Sequence, residues 1–256
     1  MSHVIAIAGK GGVGKTTLSG MLIQRMCQMG KSPILAVDAD ANSNLNEVLG
    51  VDVDMTLGDV REQIERAGVS NENPIPAGMS KADYAEIMFQ RCLNEDDDFD
   101  LLVMGRTQGK GCYCYVNGLL QAQMQKLLPG YKYMVVDNEA GMEHISRGIL
   151  PKVDTLILVS DCSRRGVQAA GRIAELAKDC NLNPKTMGLI VNRAPGGKLN
   201  SGTMEEIEKQ GLTLLGVVPH DDQVYEYDCE GKPTVELPDS SPVRVALDEI
   251  INRLDL

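Results

Sequence analysis

The chain has 256 residues, of which 43% are hydrophobic and 24% are charged, and its formal net charge at pH 7 is −11. This length and composition fit a globular protein with one large α/β domain or two small ones. Because a surface rich in carboxylates repels DNA and anionic membranes, we expect neither nucleic acid nor a membrane as a partner.

The chain begins with an apolar run, Val4–Ala8, that ends at Gly9. No basic segment precedes this run and no small-residue cleavage site follows it, so it predicts a strand rather than a signal peptide. No later stretch approaches the roughly 20 apolar residues of a membrane-spanning helix. The 7 Cys are scattered and odd in number, unlike a secreted disulfide framework, so we expect a cytoplasmic protein.

Short apolar runs alternate with segments of helical period along the whole chain. The predicted strands are Val4–Ala8, Ile34–Asp38, Leu101–Met104, Met134–Asp137, Thr155–Ser160, Met187–Asn192 and Leu214–Val218, and helical segments include Leu18–Met29, Val116–Leu128 and Val167–Cys180. Most of these strands are unbroken apolar runs, which is typical of strands covered on both faces. The pattern predicts an α/β fold: a doubly wound, mostly parallel sheet with helices on both faces.

One region departs from this alternation. Leu57–Cys92 contains two or three helical patterns and no obvious strand. Since the sequence has no internal repeat and no low-complexity linker, we predict a single domain over residues 1–256 with a helical insertion at about 55–95. The last segment, Val243–Leu256, is amphipathic and acidic on balance, and we expect its apolar stripe to pack against the domain.

The turn after the first strand carries the most specific motif. Its residues are Gly9, Lys10, Gly11, Gly12, Val13, Gly14, Lys15 and Thr16, which match G-x-x-x-x-G-K-[ST] between a strand and a helix. The glycines let backbone N–H groups face the phosphate oxygens. We expect Lys15 to bind the β- and γ-phosphates of ATP, Thr16 to bind Mg²⁺, and Thr17 to donate to phosphate at the helix N-terminus.

Lys10 is an additional lysine within this loop. A second cation near Lys15 is unfavourable unless another anion neutralises it. The segment resembles the deviant Walker family, K-G-G-x-G-K-T-T, which includes nitrogenase iron protein, arsenite-pump ATPases and the MinD/ParA group. In that family the early lysine reaches the partner's phosphates across a nucleotide-sandwich dimer. The resemblance implies that Lys10 acts in trans and that hydrolysis requires a homodimer.

Two aspartate motifs at strand ends follow the same family in order. Asp40, after Asp38, matches the switch I aspartate that positions the attacking water, and Asp137 begins a switch II pattern that ends at Gly141. The resemblance implies that the catalytic residues are Lys10, Lys15, Asp40 and Asp137, and that Thr16, Asp38 and Asp137 serve Mg²⁺. Both motifs follow strands, and ligands of open α/β sheets bind at the carboxyl ends of strands.

The family resemblance extends from Val4 to Asp221. Asn192 and Arg193 come after Leu189-Ile-Val at the end of a predicted strand and resemble the family's adenine-reading Asn, and Pro219-His220-Asp221 resembles its second adenine-side loop. The resemblance therefore implies that the nucleotide-binding residues include Asn192, Arg193, Pro219 and Asp221.

A cysteine pair, Cys112 and Cys114, precedes a predicted helix. Side chains two residues apart share a face of an extended backbone, so both thiolates can bind one ion. One pair supplies two of the four ligands of a closed Zn(II) or Ni(II) site, and a second copy of the chain completes the set. Alternatively, the two cysteines are small buried hydrophobes or a chance pair near a turn. We interpret His144 as a surface or packed residue.

The segment around the pair, G-R-x-x-G-x-G-C-Y-C-x-x-N, resembles the CooC-type maturation ATPases, which insert nickel into carbon monoxide dehydrogenase. A close relative serves acetyl-CoA synthase. The resemblance implies Ni²⁺ as cargo at a homodimer interface formed on nucleotide and metal binding, with one of these nickel enzymes as client. Zn(II) or Cu(I) also suits two thiolates per chain.

Two other functions stay open at this point. One is a positioning ATPase of the MinD/ParA type, whose membrane-binding members carry a basic amphipathic C-terminal helix. The other is an iron–sulfur electron-transfer ATPase resembling nitrogenase iron protein, which uses cysteines far apart in sequence rather than a C-x-C pair. Both alternatives share the predicted phosphate loop.

Overall fold

Eight strands form one sheet in the computed structural model, which describes residues 2–40, 42, 44–66, 74–105, 114–139 and 152–254. The strands are β1 His3–Gly9, β2 Ile34–Ala39, β3 Leu93–Glu95, β4 Phe99–Val103, β5 Tyr133–Asn138, β6 Thr155–Asp161, β7 Thr186–Ala194 and β8 Leu214–Pro219. Their order across the sheet is β3-β4-β2-β5-β1-β6-β7-β8. All neighbouring pairs are parallel except β3 with β4.

Helices connect the parallel strands. In the described ranges they are α1 Lys15–Gln28, α2 Leu45–Leu49, α3 Leu57–Arg66, α4 Lys81–Arg91, α5 Cys114–Leu127, α6 Arg164–Asp179, α7 Ser201–Lys209, α8 Asp222–Glu230 and α9 Pro242–Arg253. The predicted α/β fold with a doubly wound, mostly parallel sheet is thus confirmed. Each of the seven predicted strands coincides with an observed one.

The strand β3 was not predicted. It has only three residues and pairs antiparallel with β4 at the edge of the sheet. Residues 57–95 hold α3, α4 and β3. A strand this short has no detectable period, and Asn94 and Glu95 interrupt the apolar character on which the prediction depends.

The core has one apolar layer on each face of the sheet. Alternate residues of β1 point to opposite layers, with Ile5 and Ile7 in one and Ala6 and Ala8 in the other. The layer of Ile5 and Ile7 also contains residues of α1 and α9, and the opposite layer contains residues of α3, α4 and α6. The helices therefore cover both faces, which explains why the strands are apolar without alternation.

The last helix, α9, packs against β8 and α1. Its residues Val243, Leu247, Ile250 and Leu254 are buried in the core, which confirms the expected packing of the C-terminal stripe. Within the described part of the chain, none of the helices combines the length and the apolar character needed to cross a membrane.

Candidate nucleotide-binding site

The phosphate loop lies between β1 and α1, at the carboxyl edge of the sheet. Gly12 and Gly14 adopt left-handed backbone angles, with φ of 80° and 88°, and Gly14 is the N-cap of α1. Glycine suits both positions because a Cβ is disfavoured in this conformation. The loop therefore delivers the chain directly into the N-terminus of α1, where N–H groups and the helix dipole stabilise an anion.

The two lysines of the loop differ in environment. Lys15 is the first residue of α1 and is only 6% exposed, and its Nζ donates to the carbonyl oxygen of Lys10 at 3.4 Å. The side chain of Lys10 is exposed at the turn. Lys15 is thus held inside its own loop, whereas Lys10 is exposed, and the action of Lys10 on a second protomer stays a prediction.

Asp137 lies at the end of β5 and is completely buried. Its Oδ1 accepts a hydrogen bond from the Ser19 hydroxyl at 2.9 Å, and its Oδ2 has no hydrogen-bond partner. Burial raises the pKa of Asp137 to about 6, although hydrogen bonds from Thr16 and Ser19 and the charge of Lys15 oppose this rise. A buried carboxylate that interacts with Thr16 and has one oxygen without a hydrogen-bond partner fits a hydrated Mg²⁺.

Asp38 lies opposite Asp137 in the β2–β5 register and is also fully buried. Its Oδ1 accepts from the N–H of Asp40, and its Oδ2 accepts from the N–H of Leu45, both at 3.0 Å. Burial raises the pKa of Asp38 to about 7. Asp38 thus fixes the turn that carries Asp40 and the start of α2, in addition to its predicted role near Mg²⁺.

Asp40 itself is half-buried in the turn after β2. Its Oδ1 accepts a hydrogen bond from the N–H of Asn42 at 2.8 Å. This contact turns the chain back toward α2. The structure brings Asp40 to the same edge of the sheet as Asp38 and Asp137, and its role in positioning water stays a prediction.

Asn192 and Arg193 lie near the end of β7, beside the phosphate loop. The Nδ2 of Asn192 donates to the carbonyl oxygen of Val13 at 2.9 Å, and its Oδ1 accepts from the N–H of Arg193 at 2.9 Å. The guanidinium of Arg193 donates to the carbonyl oxygen of Gly12 at 3.2 Å. Both residues, which are predicted to bind the nucleotide, therefore also contact the phosphate loop.

A cavity of about 390 Å³ adjoins this pair. Residues on its wall include Thr17, Asn192, Arg193, Pro219, Asp221 and Tyr225. Asp221 is the N-cap of α8: its Oδ1 accepts from the N–H of Gln223, and its Oδ2 accepts from the Ser241 hydroxyl at 2.7 Å. The predicted residues of two distant loops thus converge on one concave surface of a size suited to a small ligand.

Sequence reasoning missed Ser19 and Tyr225. Ser19 contacts Asp137 from α1, one helical turn after Lys15, so the i, i+4 spacing is the signal that would have identified it. Tyr225 is 68% exposed and lines the cavity from α8. Tyr225 follows Asp221 by four residues, the same i, i+4 spacing, and both residues line the cavity.

The cysteine pair cannot be placed in the same way. Cys112 and His144 lie outside the described residues, and of Cys114 only the backbone, at the start of α5, is described. Among the described residues, no group of three or more His, Cys, Asp or Glu side chains is arranged to hold a metal ion. The sulfur site thus stays a prediction.

The segment that leads to the cysteines begins beside Asp38. The N–H of Met104, just after β4, donates to the carbonyl oxygen of Asp38 at 2.8 Å. Gly105 follows with a φ of 68°, and its Cα faces the side chain of Thr56, which caps α3 through reciprocal hydrogen bonds with Asp59. The start of the cysteine segment is therefore fixed against both the Asp38 strand and α3.

Comparison with known proteins agrees with this geometry. The family described as the CobQ/CobB/MinD/ParA nucleotide binding domain matches residues 4–235. An uncharacterized ATP-binding protein of Methanocaldococcus jannaschii is 40% identical over 253 residues, which cover 98% of each chain. The carbon monoxide dehydrogenase accessory protein CooC of Rhodospirillum rubrum is 30% identical over 242 residues, which cover 91% of this chain and 89% of CooC.

The fold is also similar to solved structures. The septum site-determining protein MinD of Pyrococcus horikoshii, in complex with Mg-ADP, superposes with a TM-score of 0.72 at 23% identity, covering 100% of this chain and 96% of that one. At this identity the likeness concerns the fold.

Proposed function

The chain belongs to the CobQ/CobB/MinD/ParA nucleotide-binding family and is a P-loop ATPase, and on that premise we propose that it is a homodimeric ATPase that inserts nickel into a client enzyme. The observation that carries this proposal is the C-x-C pair, Cys112 and Cys114, in a chain that is 30% identical to a carbon monoxide dehydrogenase accessory protein. Two thiolates per chain become a four-sulfur site only in a dimer.

The phosphate loop binds ATP in this proposal. The N–H groups of Gly9–Thr17 and the N-terminus of α1 surround the phosphates, and Lys15 leaves the carbonyl of Lys10 to reach them. Thr16 and the unpaired Oδ2 of Asp137 would hold Mg²⁺, directly or through water, and the ion would supply positive charge to the β- and γ-phosphates. Asp40 orients the attacking water.

Lys10 makes hydrolysis depend on the partner. Its side chain is exposed, whereas Lys15 is bound within the loop. In a dimer that joins two phosphate loops, Lys10 of each protomer reaches the phosphates of the other. Each active site is incomplete in a monomer, because the charge that develops in the transition state needs this second cation.

Nucleotide state is transmitted to the cysteines through Asp38. Its carboxylate holds the turn that carries Asp40, and its carbonyl oxygen holds Met104 at the start of the cysteine segment. A shift of this turn when the γ-phosphate leaves therefore moves the segment that leads to Cys112. Loops held by phosphate contacts relax on hydrolysis in other switch ATPases, and here the relaxation alters the four-thiolate geometry and releases the ion.

The positioning-ATPase alternative receives less support. Membrane attachment by the C-terminal segment requires an available apolar stripe, whereas the stripe of α9 is buried against β8 and α1.

The electron-transfer alternative requires a redox-active cluster, which a brown anaerobic preparation reveals. A nearly colourless protein that binds Ni(II) supports the nickel role.

Anaerobic nickel titration tests the proposal. We expect one Ni(II) per two chains in the presence of a nonhydrolysable ATP analogue, and loss of this binding in the double variant Cys112→Ala/Cys114→Ala. A matched control, Cys162→Ala/Cys180→Ala, also removes two thiols, both half-buried and distant in sequence from the pair, and should bind nickel as the unmodified chain does. Nickel binding that survives in the first variant contradicts the metal assignment.

A further inference from the structure

Two consecutive residues of β7 hold two consecutive carbonyl groups of the phosphate loop. Asn192 Nδ2 donates to the carbonyl of Val13, and Arg193 Nη1 donates to the carbonyl of Gly12. In a planar trans peptide the C=O of one residue and the N–H of the next point in opposite directions. Fixing these two carbonyls therefore fixes the N–H groups of Val13 and Gly14, which point away from β7.

Arg193 adopts a costly backbone conformation to make this contact. Its φ is 55°, in the left-handed region, which is unfavourable for a residue with a side chain. Its N–H donates to Oδ1 of Asn192 and so fixes the amide whose other end holds Val13. Such strain persists only where the surroundings enforce it, and it concentrates at functional sites.

The phosphate loop packs directly on this pair. A Cβ at Gly14 would lie 2.5 Å from Nδ2 of Asn192 and 3.7 Å from the Arg193 guanidinium. Both side chains also line the cavity of about 390 Å³ that we assign to the base. The same two side chains thus contact the phosphate loop on one side and the base cavity on the other.

We propose that the Asn192–Arg193 pair couples the base cavity to the phosphate loop, so that a bound adenine accelerates phosphoryl transfer in addition to strengthening binding. A base stacked on the planar guanidinium restricts Arg193 and, through it, the carbonyl of Gly12. The N–H groups of the loop are then held in the geometry that the transition state requires. Arg193 is a positioning residue in this account, because it acts through the loop.

The expected size of the effect follows from positioning. Displacement of a reacting group by about 1 Å can cost roughly 100-fold in rate. Loss of the Arg193 contact frees one loop carbonyl rather than the whole loop, so we expect kcat for ATP to fall about 10-fold or more, with a smaller change in KM. A residue that only binds the base would instead raise KM and leave kcat unchanged.

The test compares ATP with inorganic tripolyphosphate, which has no base, as substrates of the full chain. The variant is Arg193→Gly, because glycine accepts a φ of 55° and removes the whole side chain, guanidinium included, without straining the backbone. We expect kcat for ATP to exceed that for tripolyphosphate in the unmodified chain, and this advantage to disappear in the variant. Arg172→Ala, an exposed arginine on α6, is the control and should behave as the unmodified chain. Thermal unfolding within a few degrees of the unmodified chain shows that Arg193→Gly is folded.

The inference rests on the proposed placement of the base, and a binding measurement separates the two. If ADP binds no more tightly than pyrophosphate, the base placement itself is wrong. If ADP binds more tightly but Arg193→Gly keeps the kcat advantage of ATP, the placement stands and the coupling is overturned. Equal losses for ATP and tripolyphosphate also overturn the coupling, because the pair then supports the loop independently of the base.

Discussion

Replacement of Gly105 by alanine tests how the cysteine segment is fixed to the rest of the domain. Gly105 has a φ of 68°, and a Cβ there would lie 2.6 Å from Cβ of Thr56 and 3.1 Å from its Cγ2, with Oγ1 closer still. Real Cβ atoms essentially never approach within 3.0 Å. The substitution must therefore displace Thr56, and with it the start of α3, or the segment that leads to Cys112.

The loss of unfolding free energy in Gly105→Ala has two parts. The left-handed backbone costs alanine roughly 1–2 kcal/mol, and the displacement of a packed neighbour costs roughly 1–3 kcal/mol more. Gly211 is a matched control, because its φ is 62° and a Cβ there meets no atom within 4 Å. We expect Gly211→Ala to lower the free energy of unfolding by about 1–2 kcal/mol and Gly105→Ala by about 2–5 kcal/mol.

Urea unfolding of both variants measures this difference, and nickel titration of the folded variants measures its functional effect. We expect weaker nickel binding in Gly105→Ala and unchanged binding in Gly211→Ala. Removing the Thr56 side chain in the Gly105→Ala background should recover the contact part of the loss, as a double-mutant cycle reveals. If both alanine variants lose equal stability and bind nickel equally, the reasoning about this contact is refuted.

Three further predictions concern the nucleotide site. Lys10→Ala should change the affinity for ATP by no more than about 3-fold but abolish the release of phosphate. Lys15→Ala should instead weaken ATP binding by more than 10-fold. Equal loss of ATP affinity in both variants contradicts a role for Lys10 in trans. Ser19→Ala removes the hydroxyl that donates to the buried Asp137 and should lower the free energy of unfolding by about 1–3 kcal/mol. Urea unfolding that shows no change argues against this hydrogen bond. Burial raises the pKa of Asp38 from 3.8 to about 7. Between these two pH values the folded state therefore binds more protons than the unfolded state. Without Mg²⁺, the free energy of unfolding should consequently fall as pH rises from about 4 to about 7. Asp137, whose pKa is raised to about 6, contributes to this fall below pH 6. Asp38→Asn should therefore reduce the slope and remove it between about pH 6 and 7 in denaturation curves, and an unchanged slope in that upper interval would exclude Asp38 as its cause.

Seven of the strands were predictable because most of them are unbroken apolar runs long enough to be recognised. The same reasoning could not find β3, whose three residues gain their structure from pairing with β4. Tertiary pairing of this kind leaves no local pattern. The turn between β1 and α1 was predictable for the opposite reason, since its glycines and Lys15 are required within one short segment.

Contacts between distant parts of the chain account for what the sequence could not reveal. Asn192 was predicted as a base-reading residue, but its hydrogen bond to Val13 joins positions 179 residues apart and has no local signature. Similarly, the hydrogen bond between Met104 and Asp38 at the end of β2 joins two separate strands and has no local signature. Neighbouring strands in a doubly wound sheet are separated in sequence, so such pairs appear only once the strand order is known.

The mass of the protein in solution, measured anaerobically with a nonhydrolysable ATP analogue and Ni(II), tests the central claim most directly. We expect particles of two chains that carry one nickel ion, and single chains when Cys112 and Cys114 are both alanine and the nucleotide is omitted. Chains that stay single when saturated with both ligands would contradict it, because neither Lys10 nor the cysteine pair would then have the partner that its role requires.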